Sequence, residues 1–239
     1  MNLPYFYEEN IHEPVHTLSE ETSRHCVQVL RMKNGEQLQL TDGKGNRFLA
    51  TISDANKKHR RVIVDNLRRQ PHSEPGIRKI SIAISLLKNP SRFEWFLEKA
   101  AEIGVSEIIP LICEHTEKEN FRFERMNNIL ISAMLQSRQT WLCELHLPEK
   151  FDHVIDHTFT GLKLIAHCAQ DKKENVVNLT GNERDVCMLI GPEGDFSRAE
   201  IQAATAKNFI PVSLGETRLR SETAGLVAAT LLINQRTTK

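Results

Sequence analysis

The chain has 239 residues, 40% of them hydrophobic and 26% charged, with 31 Lys+Arg against 31 Asp+Glu. That is the make-up of a folded protein of one large or two modest domains, and it excludes collagen-like, disordered and disulfide-scaffold classes. A net charge of zero argues against a nucleic-acid partner only weakly, because a sum hides its distribution. In chain order, Ser19–Leu30 reads as a short helix ending near Arg31. Leu38–Thr41 and Phe48–Ile52 alternate in polarity around the turn signal Asp42-Gly43-Lys44-Gly45, and Arg61–Leu67 supplies a third strand. Residues 1–70 therefore read as a small β-barrel with one helix.

The charge is uneven along the chain. Residues 1–79 are net +3, residues 80–239 net −3, and Lys57–Lys79 by itself is +6. A local basic stripe can bind phosphates on a neutral protein, although a solvated, aggregation-blocking strand edge is the plainer reading. Gln70–Gly76 is rich in turn formers and is the best linker candidate.

After the linker the rhythm changes. Lys79–Leu87 is nearly all apolar, the mark of a strand buried on both faces. Arg92–Ile103 is helical, with Phe93, Phe96, Leu97, Ala100 and Ile103 on one face and Gly104 as its stop. Glu107–Cys113 is a strand and Arg122–Arg138 a long helix. Leu162–Ala166 and Val186–Ile190 are strands, Arg198–Lys207 a helix, Ile210–Leu214 a strand and Glu222–Gln235 the last helix. Such alternation predicts a largely parallel α/β sheet.

The five cysteines are widely spaced with no CxxC pair, so they read as buried small hydrophobes in a reducing cytosol. No secretory signal is visible, and the longest apolar runs fall far short of the ~18 residues that span a bilayer. A soluble, cytoplasmic protein is expected. His153 and His157 lie four apart without a further ligand at suitable spacing, so no metal is expected.

Two loops carry the chemistry. Leu189-Ile190-Gly191-Pro192-Glu193-Gly194-Asp195-Phe196-Ser197 joins a strand to a helix. Its glycines permit close approach of a ligand, and Ser197 with Glu200 forms a capping-box pattern. Leu214-Gly215-Glu216-Thr217-Arg218-Leu219-Arg220-Ser221-Glu222 also leaves a strand and enters a helix, crowding charges between apolar elements. Ligands of open α/β sheets bind outside the carboxyl ends of the strands. A plain turn and ordinary helix capping are the bland readings of the two loops. No Walker A, GxGxxG, GxSxG or HExxH pattern is present.

Taken in order, these segments resemble the bacterial 16S rRNA (uracil-N3)-methyltransferases of the SPOUT superfamily, over essentially the whole chain. The resemblance rests on Arg24-His25-Cys26-Val27-Gln28-Val29-Leu30-Arg31, Asp42-Gly43-Lys44-Gly45 and Lys99–Ile108. It rests most on Gly191-Pro192-Glu193-Gly194 and on Leu214-Gly215 followed by Leu219-Arg220-Ser221-Glu222-Thr223-Ala224. It implies a PUA-like, RNA-gripping β-barrel over residues 1–72 and a trefoil-knotted α/β domain over residues 77–239 that binds S-adenosylmethionine. It also implies a homodimer acting on 16S rRNA or the small ribosomal subunit, without metal or membrane. Ile190, Gly191, Pro192, Glu193 and Gly194 would form one wall of the cofactor pocket, and Leu214, Gly215 and Leu219 another. His167 would belong to a third wall.

Arg220 would stabilise the anion left when uracil N3 loses its proton, and Glu222 would accept that proton. Arg24, Arg31, Lys88 and Arg92 would contact RNA phosphates, and His25 would lie near them. The chain departs from the family pattern in three places. His167-Cys168 stands for a usual His-Pro, Asp195 for a usual Gly, and Met134–Arg138 for a usual Glu-Gln-Ser run. The competing readings are a knotted methyltransferase with another RNA target, a non-catalytic rRNA-binding assembly factor, and a generic nucleotide-binding α/β enzyme.

Overall fold

The computed structural model describes residues 3–56, 61–69, 79–157, 159–169, 172–179 and 185–234. Two compact units emerge. One comprises Met1–Pro75 together with Met134–Leu142, the other Gly76–Ala133 together with Cys143–Lys239.

The first unit is a curled sheet with one helical segment. Its strands are β1 (Tyr5–Tyr7), β2 (His16–Thr17), β3 (Gln37–Thr41), β4 (Arg47–Asn56) and β5 (Arg61–Arg69), paired in the order β1-β3-β4-β5-β2. β4 alternates strictly from Phe48 to Ile52, so its even residues enter the core with Leu38, Leu40, Val62 and Val64. Two register shifts between β4 and β5 bend the pair and curl the sheet into a half-barrel. The short strands β1 and β2 leave no periodic signal in the sequence.

Helix α1 (Glu20–Arg24) is capped by Ser19, whose hydroxyl accepts from the Thr22 amide. It runs into a π-helical turn, His25–Val29, and Arg31 follows with φ of 55°. The expected helix over Ser19–Leu30 is thus two pieces of different pitch. The segment 134–142 joins this unit through backbone bonds: the Gly45 amide donates to Thr140 O and the Leu142 amide to Gly43 O, both at 2.8 Å. The expected linker at 70–76 and most of the basic stripe lie outside the described residues.

The second unit is a sheet with helices on both faces. Its strands are β6 (Ile80–Ser85), β7 (Glu107–Ile112), β8 (Glu144–Leu145), β9 (Glu149–Lys150), β10 (Leu162–Ala166), β11 (Glu174–Asn175), β12 (Val186–Ile190) and β13 (Ile210–Ser213). They run in the order β11-β13-β10-β12-β6-β7-β8, with β9 also on β7, and every described pairing is parallel. All residues of β6 and of β12 are buried, as near-continuous apolar runs require.

The helices are α2 (Pro90–Ile103), α3 (Phe123–Gln136), α4 (Phe151–Asp156), α5 (Val176–Leu179), α6 (Arg198–Ala206) and α7 (Ser221–Asn234). α2 starts where the Asn89 side chain accepts from the Ser91 amide, with Pro90 fixing the first turn, and stops at Gly104 with φ of 93°. Its buried face, Phe93, Phe96, Leu97 and Ala100, packs against α7. α4 and α6 cover the opposite face, closing a core of Ile109, Leu111, Phe151, Val154, Ile165, Leu189, Phe196 and Phe209. The short elements β8, β9, α4, β11 and α5 carry too few residues to show a period. No described helix is long and apolar enough to cross a membrane.

Candidate cofactor site

At the carboxyl ends of β10, β12 and β13, three neighbouring strands, lies a cavity of about 620 Å³. That is within the roughly 300–1,000 Å³ of small-molecule sites. Ala166, His167 and Cys168 form one wall, Ile190 to Glu193 with Asp195 a second, and Val212 to Ser221 with Ala224 the third. Three strands ending side by side aim their connecting loops, with backbone amides and carbonyls freed from the sheet, at one space.

Each loop is held in shape by local chemistry. Gly191 is tightly packed: a Cβ would stand 3.1 Å from both the Phe196 ring and the Phe196 amide nitrogen, so Phe196 would have to give way by a few tenths of an ångström. Ser197 and Glu200 close a reciprocal cap on α6, so the loop ends abruptly at a rigid helix. The second carboxylate oxygen of Glu200, Oε1, accepts from the Glu114 amide at 2.9 Å. On the third wall the Ser213 hydroxyl donates to Gly215 O at 2.9 Å, turning the chain at the end of β13. On the first wall Lys173 Nζ donates to His167 O at 2.6 Å.

Of the residues expected to hold a cofactor, Ile190, Gly191, Pro192, Glu193, Leu214, Gly215, Leu219 and His167 line the cavity, and Arg220 does as well. Gly194 is not on the wall; its α-carbon packs toward His115, where a Cβ would come within 3.2 Å. Glu193 Oε1 accepts from the Lys88 amide at 3.2 Å, tying this loop to the end of β6.

Glu222 lies in the first turn of α7, 7% exposed and off the cavity wall. Its Oε1 is 3.6 Å from Arg92 Nε, and its Oε2 is buried without a hydrogen-bond partner among the described residues. Arg92 is thus paired rather than free, and Lys88 Nζ pairs with Glu117 at 2.7 Å. Arg24 and Arg31 are exposed in the first unit, at the end of α1 and just beyond the π-helical turn. Met134–Arg138 also belongs to the first unit, where Arg138 O accepts from Arg47.

Polar wall residues without an expected role include Asp195 and Thr217, inside the two loops, and Lys173 and Ser213, outside them. Only the departure at Asp195 signalled any of them. Four cysteines are buried, and burial pushes the Cys26 and Cys113 thiols up to about 12; the exposed one, Cys168, is on the cavity wall.

A family model described as an RNA methyltransferase domain matches residues 74–233, and one described as an RNA methyltransferase PUA domain matches residues 18–65. The chain belongs to the RNA methyltransferase family. A probable rRNA-methyltransferase from Porphyromonas gingivalis is 37% identical, with a TM-score of 0.91 and 98% of each chain covered. A putative methyltransferase from Legionella pneumophila, solved in complex with S-adenosylmethionine, is 32% identical, with a TM-score of 0.86 and 97% of each chain covered. A ribosomal RNA small subunit methyltransferase E from Rickettsia conorii is 27% identical over 84% of this chain and 81% of its own length.

As an RNA methyltransferase, the chain must hold a methyl donor and an acceptor group of RNA at adjoining positions. The cavity offers a glycine cradle at Gly191, a backbone-rich wall at Leu214–Gly215 and cations at Lys173 and Arg218. That donor set fits a ligand that joins a flat heterocycle to a carboxylate-bearing chain. A second polar cluster, Glu107, Glu144 and His146, brings possible ligand atoms within 4.8 Å of one another. Lys79 Nζ already sits 3.0 Å from Glu107 and 3.4 Å from Glu144, supplying the positive charge there.

Proposed function

We propose that the chain transfers a methyl group from S-adenosylmethionine to N3 of a uracil in 16S rRNA of the small ribosomal subunit. The observation that carries this reading is the cavity where Gly191–Glu193 and Leu214–Arg220 meet beside His167. S-adenosylmethionine supplies, when bound, a methyl group on a positively charged sulfur. The walls at Ile190–Glu193 and Leu214–Leu219 would hold it largely through backbone groups.

Neutral uracil carries a proton at N3 and is a poor nucleophile there, so the protein must remove that proton and stabilise the anion. Arg220, on the cavity wall, supplies the positive charge toward the uracil oxygens in this reading. Glu222 accepts the proton through Oε2, which has no hydrogen-bond partner among the described residues; to do so its side chain must turn toward the cavity, which Ser221 and Ala224 beside it line. Much of the remaining acceleration comes from holding the two reactants in line. The target base must be unstacked or single-stranded to enter.

Arg24 and Arg31 are proposed as RNA-phosphate contacts, with Lys88 and Arg92 joining them by exchanging Glu117 and Glu222 for phosphate. We also propose a homodimer: α7 leaves Leu226, Val227, Leu231 and Ile233 only half-buried, an apolar stripe suited to a second copy. Since its proposed substrate is ribosomal RNA, the proposed setting is the cytoplasm. Mass analysis of 16S rRNA nucleosides, with and without the gene for this chain, tests the reaction. Loss of one 3-methyluridine on deletion supports it; an unchanged nucleoside profile overturns it. Sedimentation at micromolar concentration tests the dimer.

A further inference from the structure

Asp195 is the junction of two cavity walls. Its φ is 67°, a left-handed conformation that costs a side-chain-bearing residue about 1 kcal/mol or more. Such a residue persists when its surroundings over-determine it. Here they do. Its amide donates to Pro192 O at 3.0 Å, and its carbonyl meets His115 Nδ1 at 2.9 Å. Its carboxylate divides between two amides: Oδ1 accepts from Phe196 at 2.9 Å, and Oδ2 accepts from Cys168 at 2.7 Å. The Cys168 bond spans 27 positions of sequence and links the first wall to the second through a side chain.

We propose that Asp195 is a positioning residue for the methyl donor. Its carboxylate clamps the 166–168 wall to the 190–195 wall and so sets the spacing of the cavity. This rests on the cofactor reading above. A glycine at 195 accepts the left-handed backbone without strain, so Asp195→Gly removes the clamp while relieving the conformation. A residue retained only for its backbone shape would therefore lose nothing by that change.

The test combines calorimetry with S-adenosylmethionine, thermal melting and backbone amide exchange by NMR on the full chain. For Asp195→Gly the expected result is an unchanged or higher melting temperature with about 10-fold weaker binding of S-adenosylmethionine, the scale of one charge-assisted hydrogen bond. Exchange at the Cys168 amide of the unliganded protein should rise about as much. Asp195→Asn, which keeps one acceptor and tolerates the left-handed region, should fall between the two. Unchanged affinity, or a Cys168 amide that exchanges equally fast in both proteins, overturns the clamp. Failure of the unaltered chain to bind S-adenosylmethionine overturns the cofactor reading instead, since Cys168 exchange judges the clamp without ligand.

Discussion

At the scale of single residues, Arg220 and Glu222 are two positions apart in sequence and differ completely in setting. One is exposed on the cavity wall, the other buried beside Arg92. Arg220→Ala should lower turnover by about 10²–10³, the usual loss on removing one group that stabilises developing negative charge, and leave cofactor affinity nearly intact. Glu222→Gln should lower turnover by about 10²–10⁴, the usual contribution of a positioned base. Methyl incorporation into RNA, run beside calorimetry, separates both from a binding defect.

His115 offers a pH-dependent handle on the same loop. Its bond to Asp195 O, and then the nearby Glu114 and Glu200, raise its pKa above the ordinary 6.5. A raised folded pKa means the stabilisation is complete below the unfolded value and is lost as pH rises through the folded one. The melting-temperature gap between the unaltered chain and His115→Phe should therefore be wider at about pH 5.5 than at about pH 8.

At the scale of elements, α2, α7 and β6 meet at Gly225. A Cβ there would stand 2.7 Å from the Phe96 ring and 3.0 Å from Ile84 Cδ1. Gly225→Ala should cost about 1–3 kcal/mol in chemical denaturation, as overpacking of a filled core does, despite the better helix propensity of alanine. The amino ends of β6, β7 and β8 are tied by Glu107, which accepts from the Ser81 hydroxyl and pairs with Lys79 and His146. Burial would raise its pKa, but the bonds from Ser81 and Lys79 outweigh it and hold the carboxyl below its ordinary 4.5. That contribution is present above the unfolded pKa and is lost as pH falls through the folded one. Glu107→Gln should accordingly narrow its stability deficit in acid-titration melts below about pH 4.

Elements with a full period were legible in sequence: α2 ends on its expected Ile103, and β10 and β12 match their expected bounds. The strands β1, β2, β8, β9 and β11 and the helices α4 and α5 were not, because so few positions hold no repeat. The π-helical turn was hidden for another reason. Its side-chain pattern differs from an α-helix by less than the pattern's own noise.

At the scale of the whole molecule, zero net charge is a cancellation between parts with different work. If the basic N-terminal residues meet RNA, Arg24→Ala and Arg31→Ala should each weaken binding across RNA sequences and reduce the salt slope by about one. Filter-binding titrations over a salt series measure this. The segment 134–142 shows how the units share the chain: residues expected at the end of a catalytic-domain helix pack with the first sheet instead. Hydrophobic spacing could not show this, since the contact is made by backbone atoms of Gly43, Gly45, Thr140 and Leu142 and by polar side chains such as Tyr5 and Arg47 donating to backbone oxygens.

By itself the sequence determined the alternation of strands and helices and the two glycine-bearing loops. Each depends on neighbours in the chain or on the shape of one residue. The tertiary structure decided what those loops enclose, that Arg92 answers Glu222, and that Gly194 packs against His115 rather than on the wall. It also joined two departures from the family pattern into one hydrogen bond. Cys168 brings an amide N–H that proline lacks, and Asp195 supplies the acceptor that glycine lacks. The two residues are 27 positions apart. Parallel strands bring such residues together only after the sheet has formed, so no local pattern could have paired them.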